Sequence, residues 1–248
     1  MSFGARKPVS IVPDASAASG LAARKRGAGA LPHPCATAVY DPACRRCPRL
    51  AGFLDEVKLA HPDYFCRPVP PMGPAGAALT IVGLAPGLHG ANATGRPFTG
   101  DYAGVLMFRT LHDYGFASAP VTTGPDDGLT LIDCRIINAV KCLPPENKPL
   151  PAEIRECNMY LRADLAAVPD GGAIMALGRV AHDAALRALD LRASEFRFAH
   201  GAQHGLARGV MLIDSYHCSR YNTNTGRLTP AMFHAVFEAI AAHLGRGR

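Results

Sequence analysis

No stretch of these 248 residues approaches the roughly 20 uninterrupted apolar residues that a membrane span requires. The N-terminus also lacks the apolar core of a secretory signal. Charge is sparse: 19% of residues are charged and 48% are hydrophobic, a composition that argues against disorder and for a folded globular chain. Acid is nearly missing from the first 30 residues, where Asp14 stands alone against Arg6, Lys7, Arg24, Lys25 and Arg26. An Arg/Ala/Ser-rich, acid-poor start suits an organellar transit peptide. A GC-rich genome writes the same composition, and that plainer reading is adopted. The expectation is a cytoplasmic protein with no membrane association.

The overall balance is basic, with a net charge of +6 and a sequence pI near 9.0. That favours polyanionic partners without proving them. Residues 1–30 read as a flexible basic tail, either adding non-specific attraction to phosphates or simply solvated. Residues 31–248 read as one domain, large enough to hold a core without disulfide staples.

A helix is predicted over 48–61, followed by a Pro/Gly-rich stretch over 68–76. Apolar runs then recur at 79–83, 129–139, 173–177 and 210–214. They alternate with amphipathic segments at 104–114, 151–167, 179–189 and 229–243. Thr229 is placed to cap the last helix, with Pro230 at its first position. Strands alternating with helices predict an α/β fold, a parallel sheet covered on both faces. Ligands in such sheets sit at the carboxyl ends of the strands. The unusual polar motifs of this chain all fall just after an apolar run.

Eight cysteines without a secretion signal argue against a disulfide framework. Cys44 and Cys47 form a C-x2-C pair, and Cys142 and Cys157 offer two further thiolates. Four such ligands suit a metal centre. Spacing alone leaves a [4Fe–4S] cluster, zinc and a set of reduced structural cysteines all open. Cys134 lies within an apolar run and reads as core.

Three loops carry chemistry. Gly83-Leu84-Ala85-Pro86-Gly87 is dense enough in Gly and Pro to bring backbone N–H groups close to a ligand. It leads into Thr94-Gly95-Arg96-Pro97-Phe98-Thr99-Gly100-Asp101. Phe98 is either a platform for stacking a planar base or a loop aromatic folded back on the core. Asp101 is a helix N-cap, a catalytic carboxylate, or both. Asn138 closes the second run, and its carboxamide presents a donor and an acceptor side by side. Uracil offers the complement at N3–H and O4, and cytosine offers it reversed. His217 follows the last strand and precedes Ser219-Arg220-Tyr221-Asn222-Thr223-Asn224-Thr225-Gly226-Arg227. That polar loop suits phosphate contacts and a wedge between bases, through Arg220, Tyr221, Asn222 and Arg227.

Together these segments resemble the uracil-DNA glycosylase superfamily, and most closely its family 5, or type B. The resemblance runs from about Cys44 to Thr229. It rests on the Gly83–Gly87 glycine loop, the Thr94-to-Asp101 motif, Asn138-Ala139-Val140-Lys141-Cys142 with Pro144-Pro145, and His217-Cys218-Ser219 with Thr225-Gly226-Arg227-Leu228-Thr229. It implies a three-layer α/β/α sandwich around a short, mostly parallel four-stranded sheet. It also implies a [4Fe–4S] cluster rather than zinc on Cys44, Cys47, Cys142 and Cys157. The implied partner is DNA containing uracil or another deaminated base such as hypoxanthine, attacked by a nucleoid-associated monomer. The implied roles are catalysis by Asp101 and His217, with uracil bound by Gly83, Ala85, Gly87, Phe98 and Asn138.

Family 4 has a Glu where this chain has Leu84. Family 5 commonly has Arg where this chain has Ala93, and often Pro where it has Cys218 and Arg220. These departures bear on DNA contacts and loop geometry. The alternatives are a family 4-type enzyme and a non-catalytic, metal-stabilised nucleic-acid-binding module.

Overall fold

A computed structural model describes residues 40–246. The expected basic tail, the start of the domain near Leu31, and Cys35 lie outside the described residues.

Four buried strands form the centre: β1 (Leu79–Gly83), β2 (Cys134–Asn138), β3 (Ala173–Leu177) and, after a short edge strand β4 (Gln203–Gly205), β5 (Met211–Ser215). Their order in the sheet is β2-β1-β3-β5-β4. All neighbours are parallel except β4, which runs antiparallel to β5. The sheet thus has five strands, one more than the four expected. β4 escapes a reading of apolar runs because Gln203-His204-Gly205 is a polar, partly exposed edge strand.

Successive side chains of a strand point to opposite faces, so each buried strand feeds two cores. Leu79 and Ile81, Cys134 and Ile136, and Met175 and Ile213 face α3 (Tyr102–Asp113) and α7 (Pro230–His243). Val82, Ile137, Ile174, Ala176 and Leu212 face α4 (Pro151–Ala166) and α5 (Arg179–Ala188). This is the three-layer sandwich. Thr229 does cap α7, its hydroxyl accepting from the Met232 N–H at 3.2 Å.

The 129–139 run is a strand only in its second half. Asp133 adopts a left-handed φ of 50° before β2, and Leu131 makes an isolated bridge to Ala117. α1 (Pro48–Ala60) stands outside the layers and packs on α4 and the segment after β2. Its tie to α4 is ionic as well: Arg49 grips Glu153 with two hydrogen bonds of 2.7 Å, and Arg46 pairs with Glu156.

The chain passes from β1 outward to β2 and then back across to β3. The sheet therefore reverses direction between β1 and β3, and the loops leaving these two strands open a crevice at their carboxyl ends.

Candidate active site

That crevice is a cleft of about 460 Å³ lined by Ala85, Gly87, Phe98, Asp101, Asn138 and His217, among others. The residues singled out after β1, β2 and β5 thus meet in one place. Their side chains are set by close packing on glycines.

Gly83 ends β1 directly opposite Asn138, which ends β2. A Cβ on Gly83 would collide with Asn138 Oδ1 and come within 3.4 Å of the Phe98 ring. Gly83 therefore packs beneath the amide and the ring that line the cleft. Asn138 is only 5% exposed, and among the described residues its carboxamide makes no hydrogen bond. Packing fixes the amide while its donor and acceptor stay free for a ligand. Phe98 sits at a left-handed φ of 58°, buried, yet with its ring at the cleft. Phe98 is thus folded back on the core while its ring still lines the cleft. Its ring lies nearly parallel to that of His217, at 24° with centroids 6.1 Å apart.

Asp101 occupies the N-cap position of α3 with extended φ −90° and ψ 144°, but its side chain accepts nothing from that helix. The carboxylate turns back over the preceding loop and accepts the Ala91 N–H at 3.2 Å. Gly87 and Gly90 make room for it: a Cβ on Gly87 would lie 2.5 Å from its Oδ1, and one on Gly90 would overlap the carboxylate. Burial raises the Asp101 pKa, against the smaller pull of the Ala91 N–H and His89. The loop bearing Phe98 and Asp101 is anchored through Arg96, which binds Asp127 at 2.7 Å and the carbonyls of Gly124 and Leu129.

Burial pushes the His217 imidazole down to about 4, so the ring is neutral at physiological pH. Two contacts hold its loop: Asn222 Nδ2 donates to the His217 carbonyl at 2.8 Å, and the Cys218 thiol donates to the Ala103 carbonyl at 3.5 Å. The polar stretch after it is a short helix, α6 (Arg220–Asn224), with Ser219 as N-cap. Arg220 stacks over the Tyr102 ring at the cleft mouth at 5.0 Å, and Arg227 over Tyr216 at 4.8 Å. Tyr221 projects outward, 71% exposed. Asn222, expected to face DNA, has its Nδ2 engaged with the His217 carbonyl.

The four predicted cysteines also come together. Cys44, Cys47, Cys142 and Cys157 line one small cavity with Leu50, Val140 and Tyr160, behind the Ala85 side of the cleft. Burial, and then the other sulfurs of the set, push Cys47 up to about 11 and Cys142 up to about 12. The Lys141 N–H donates to Cys157 Sγ at 3.3 Å. Cys134 and Cys218 are buried apart from this group, whereas Cys66 is buried in the apolar cluster against which Cys142 packs.

Sequence reasoning missed two features. Tyr102, Asn147, Arg179 and Val180 also line the cleft. A buried network joins three elements elsewhere: His182 Nδ1 lies 2.7 Å from Asp214 Oδ1, and His204 Nε2 lies 3.2 Å from Asp214 Oδ2. The second nitrogen of His182 faces the Phe196 carbonyl at 3.0 Å. With Asp214 at one nitrogen and a carbonyl at the other, hydrogen bonding favours the protonated ring and raises its pKa against the opposing effect of burial. The three groups are close enough to suggest a metal, but their polar atoms already satisfy one another. Their members sit 22 and 10 residues apart in sequence, so no spacing could have signalled them.

A family model described as the uracil DNA glycosylase superfamily matches residues 70–241. A type-5 uracil-DNA glycosylase of Thermus thermophilus is 44% identical over 196 residues, covering 77% of this chain and 89% of the relative. One from Mycobacterium tuberculosis is 41% identical over 219 residues, covering 85% and 81%. A type-4 uracil-DNA glycosylase of Archaeoglobus fulgidus is more distant, at 31% over 153 residues, covering 60% and 69%.

Proposed function

Because this chain belongs to the uracil DNA glycosylase superfamily, within its type-5 branch, we propose that it hydrolyses the N-glycosidic bond of uracil in DNA and leaves an abasic site. The observation that carries this reading is the Asp101 carboxylate, turned off its helix into the same cleft as a free Asn138 amide and a neutral His217. A binding module has no need of a carboxylate held so, and the type-4 relatives are the weaker matches.

Uracil in a duplex is inaccessible, so the nucleotide must flip into the cleft, at a cost of a few kcal/mol. Phe98 stacks on the ring, and Asn138 accepts from N3–H while donating to O4. As the C1′–N1 bond stretches, positive charge grows on the sugar and negative charge on the base. Neutral His217, together with backbone N–H groups of the Leu84–Gly87 loop, donates to the carbonyl oxygen that gathers this charge. Asp101 orients the attacking water and takes its proton as the oxygen bonds C1′. Uracil leaves with the bonding electron pair as an anion and gains a proton from solvent, to which Asp101 releases the one it took from water. Arg220, Tyr221 and Arg227 meet the duplex around the cleft mouth. The enzyme works as a monomer among the chromosomal DNA.

Cys44, Cys47, Cys142 and Cys157 would hold a [4Fe–4S] cluster. The four thiols are gathered at one small cavity, a donor set that suits a bound metal cluster, and burial together with the neighbouring sulfurs disfavours the bare thiolates of Cys47 and Cys142. When bound, the cluster supplies no step to a hydrolysis and cross-links α1 to the segment after β2.

The test is an oligonucleotide carrying one uracil, treated with the protein and then with alkali, beside hypoxanthine, thymine and cytosine strands. Scission at uracil only after alkali is the expected result, with hypoxanthine cut more slowly. Intact strands on every base would leave the binding module as the better account.

A further inference from the structure

The loop between β2 and α4 brings a residue to the cleft for which the mechanism has no use. Glu146 and Asn147 both adopt left-handed φ, 53° and 57°, one after the other. Glu rarely occupies this region while Asn tolerates it, so the strain of the turn falls on Glu146 and presents Asn147 beside it. The turn is held hard. The Asn147 N–H donates to the Pro144 carbonyl at 3.1 Å and the Lys148 N–H to the Pro145 carbonyl at 3.0 Å. Arg49 of α1 donates to the Lys148 carbonyl at 3.2 Å while also gripping Glu153 of α4. Glu153 in turn accepts the Leu150 N–H at 2.7 Å. All of this fixes the backbone. None of it employs the Asn147 side chain, which is exposed, lines the cleft, and makes no hydrogen bond among the described residues.

Depth in the cleft says what such an amide would meet. The floor belongs to buried Asn138 and Phe98, which take the base. A residue at the exposed rim faces the part of the nucleotide that stays outside, its sugar and phosphate. Two exposed cations stand nearby, Lys148 next in the chain and Arg179 on the cleft lining, each paired with an exposed acid, Glu146 at 2.9 Å and Asp183 at 3.4 Å. Such surface pairs exchange readily for a stronger anion.

We infer that Asn147 donates a side-chain N–H to a phosphate of the strand carrying the flipped nucleotide, so that α1 and the cysteine-lined segment set the position of the DNA through Arg49. This rests on the excision of uracil proposed above. No bond is made or broken by this contact. It positions the strand.

The test uses full-length protein and a uracil duplex in which the phosphates flanking the uracil are replaced one at a time by uncharged methylphosphonates. Asn147→Gly keeps the left-handed turn without strain and removes only the amide. Asn147→Asp keeps the shape and places a negative charge against the phosphate. Asn147→Gly is expected to raise KM about tenfold with kcat within about twofold. Asn147→Asp is expected to raise it further, by an excess that shrinks as salt is added. At one flanking position, methylphosphonate should cost the wild type the same factor and cost Asn147→Gly nothing more. An unchanged KM in Asn147→Gly overturns the inference. So does a loss confined to kcat, or additive losses at every phosphate. Wild-type protein that leaves uracil in place would fail the glycosylase reading itself, a different result from any of these.

Discussion

Asp101 stands where a helix would welcome a carboxylate as its cap, yet the side chain turns the other way, onto Gly87 and Gly90. Burial raises its pKa, whereas His217 stays neutral down to about 4. A base works only when ionised, so activity should fall as pH drops through the folded pKa of Asp101. The acid limb of kcat is therefore expected above the ordinary carboxylate value of 3.8, and Asp101→Asn should leave a small residual rate without that limb. A pH–rate profile on both proteins checks it. Asn138→Asp removes the amide donor and is expected to blunt the preference for uracil over cytosine, measured on matched strands. Gly83→Ala should be nearly as harmful as touching Asn138 itself, because the new methyl would displace the Asn138 amide. A loss of about tenfold or more in kcat/KM with intact folding is expected, since small misplacements in a site cost rate steeply. Asn138, Phe98 and His217 were legible because each closes or follows an apolar run. The inward turn of Asp101 was not, because a cap and a catalyst share one sequence signature.

At the scale of elements, the strand ends deliver the chemistry and short polar segments lock it. β4 and α6 left little trace in the sequence. Gln203-His204-Gly205 is polar at a sheet edge, and Ser219-Arg220-Tyr221-Asn222-Thr223-Asn224 lacks the apolar spacing that marks a helix. α6 nevertheless decides where His217 sits, through Asn222. Asn222→Ala should lower kcat by about ten- to a hundredfold while the DNA affinity of the Arg220 and Arg227 side changes little. Single-turnover rates and binding titrations separate the two, and a loss of affinity alone would return Asn222 to the DNA face. The cysteines act between elements, two before α1, one after β2 and one on α4. Cys142→Ser is expected to give colourless, poorly soluble protein, read by absorbance and by yield. A stable, active, colourless variant would contradict a structural cluster.

Across the whole molecule, the parallel sheet was legible from the alternation of apolar runs and amphipathic segments, whereas the strand order that places the crevice between β1 and β3 arises only in the fold. The His182–Asp214–His204 network was not legible, since it exists only once α5, β4 and β5 have packed together. Burial disfavours the His182 charge, but Asp214 and the Phe196 carbonyl outweigh it and raise the His182 pKa. A group raised in the folded state stabilises it fully below the unfolded value of 6.5. That stability is lost as pH climbs through the folded value. Urea unfolding followed from acid to alkaline pH should show this decline in wild type and not in His182→Ala. The variant leaves Asp214 buried without its main partner and is expected to lose about 3–5 kcal/mol.

The central claim is that this cleft removes uracil with Asp101 directing the water. Its most direct test is single-turnover excision from a uracil duplex by wild type and Asp101→Asn, with DNA affinity measured on the same preparations. The account predicts equal affinity and a fall of about a hundredfold or more in the excision rate of Asp101→Asn. Equal rates from the two proteins would contradict it.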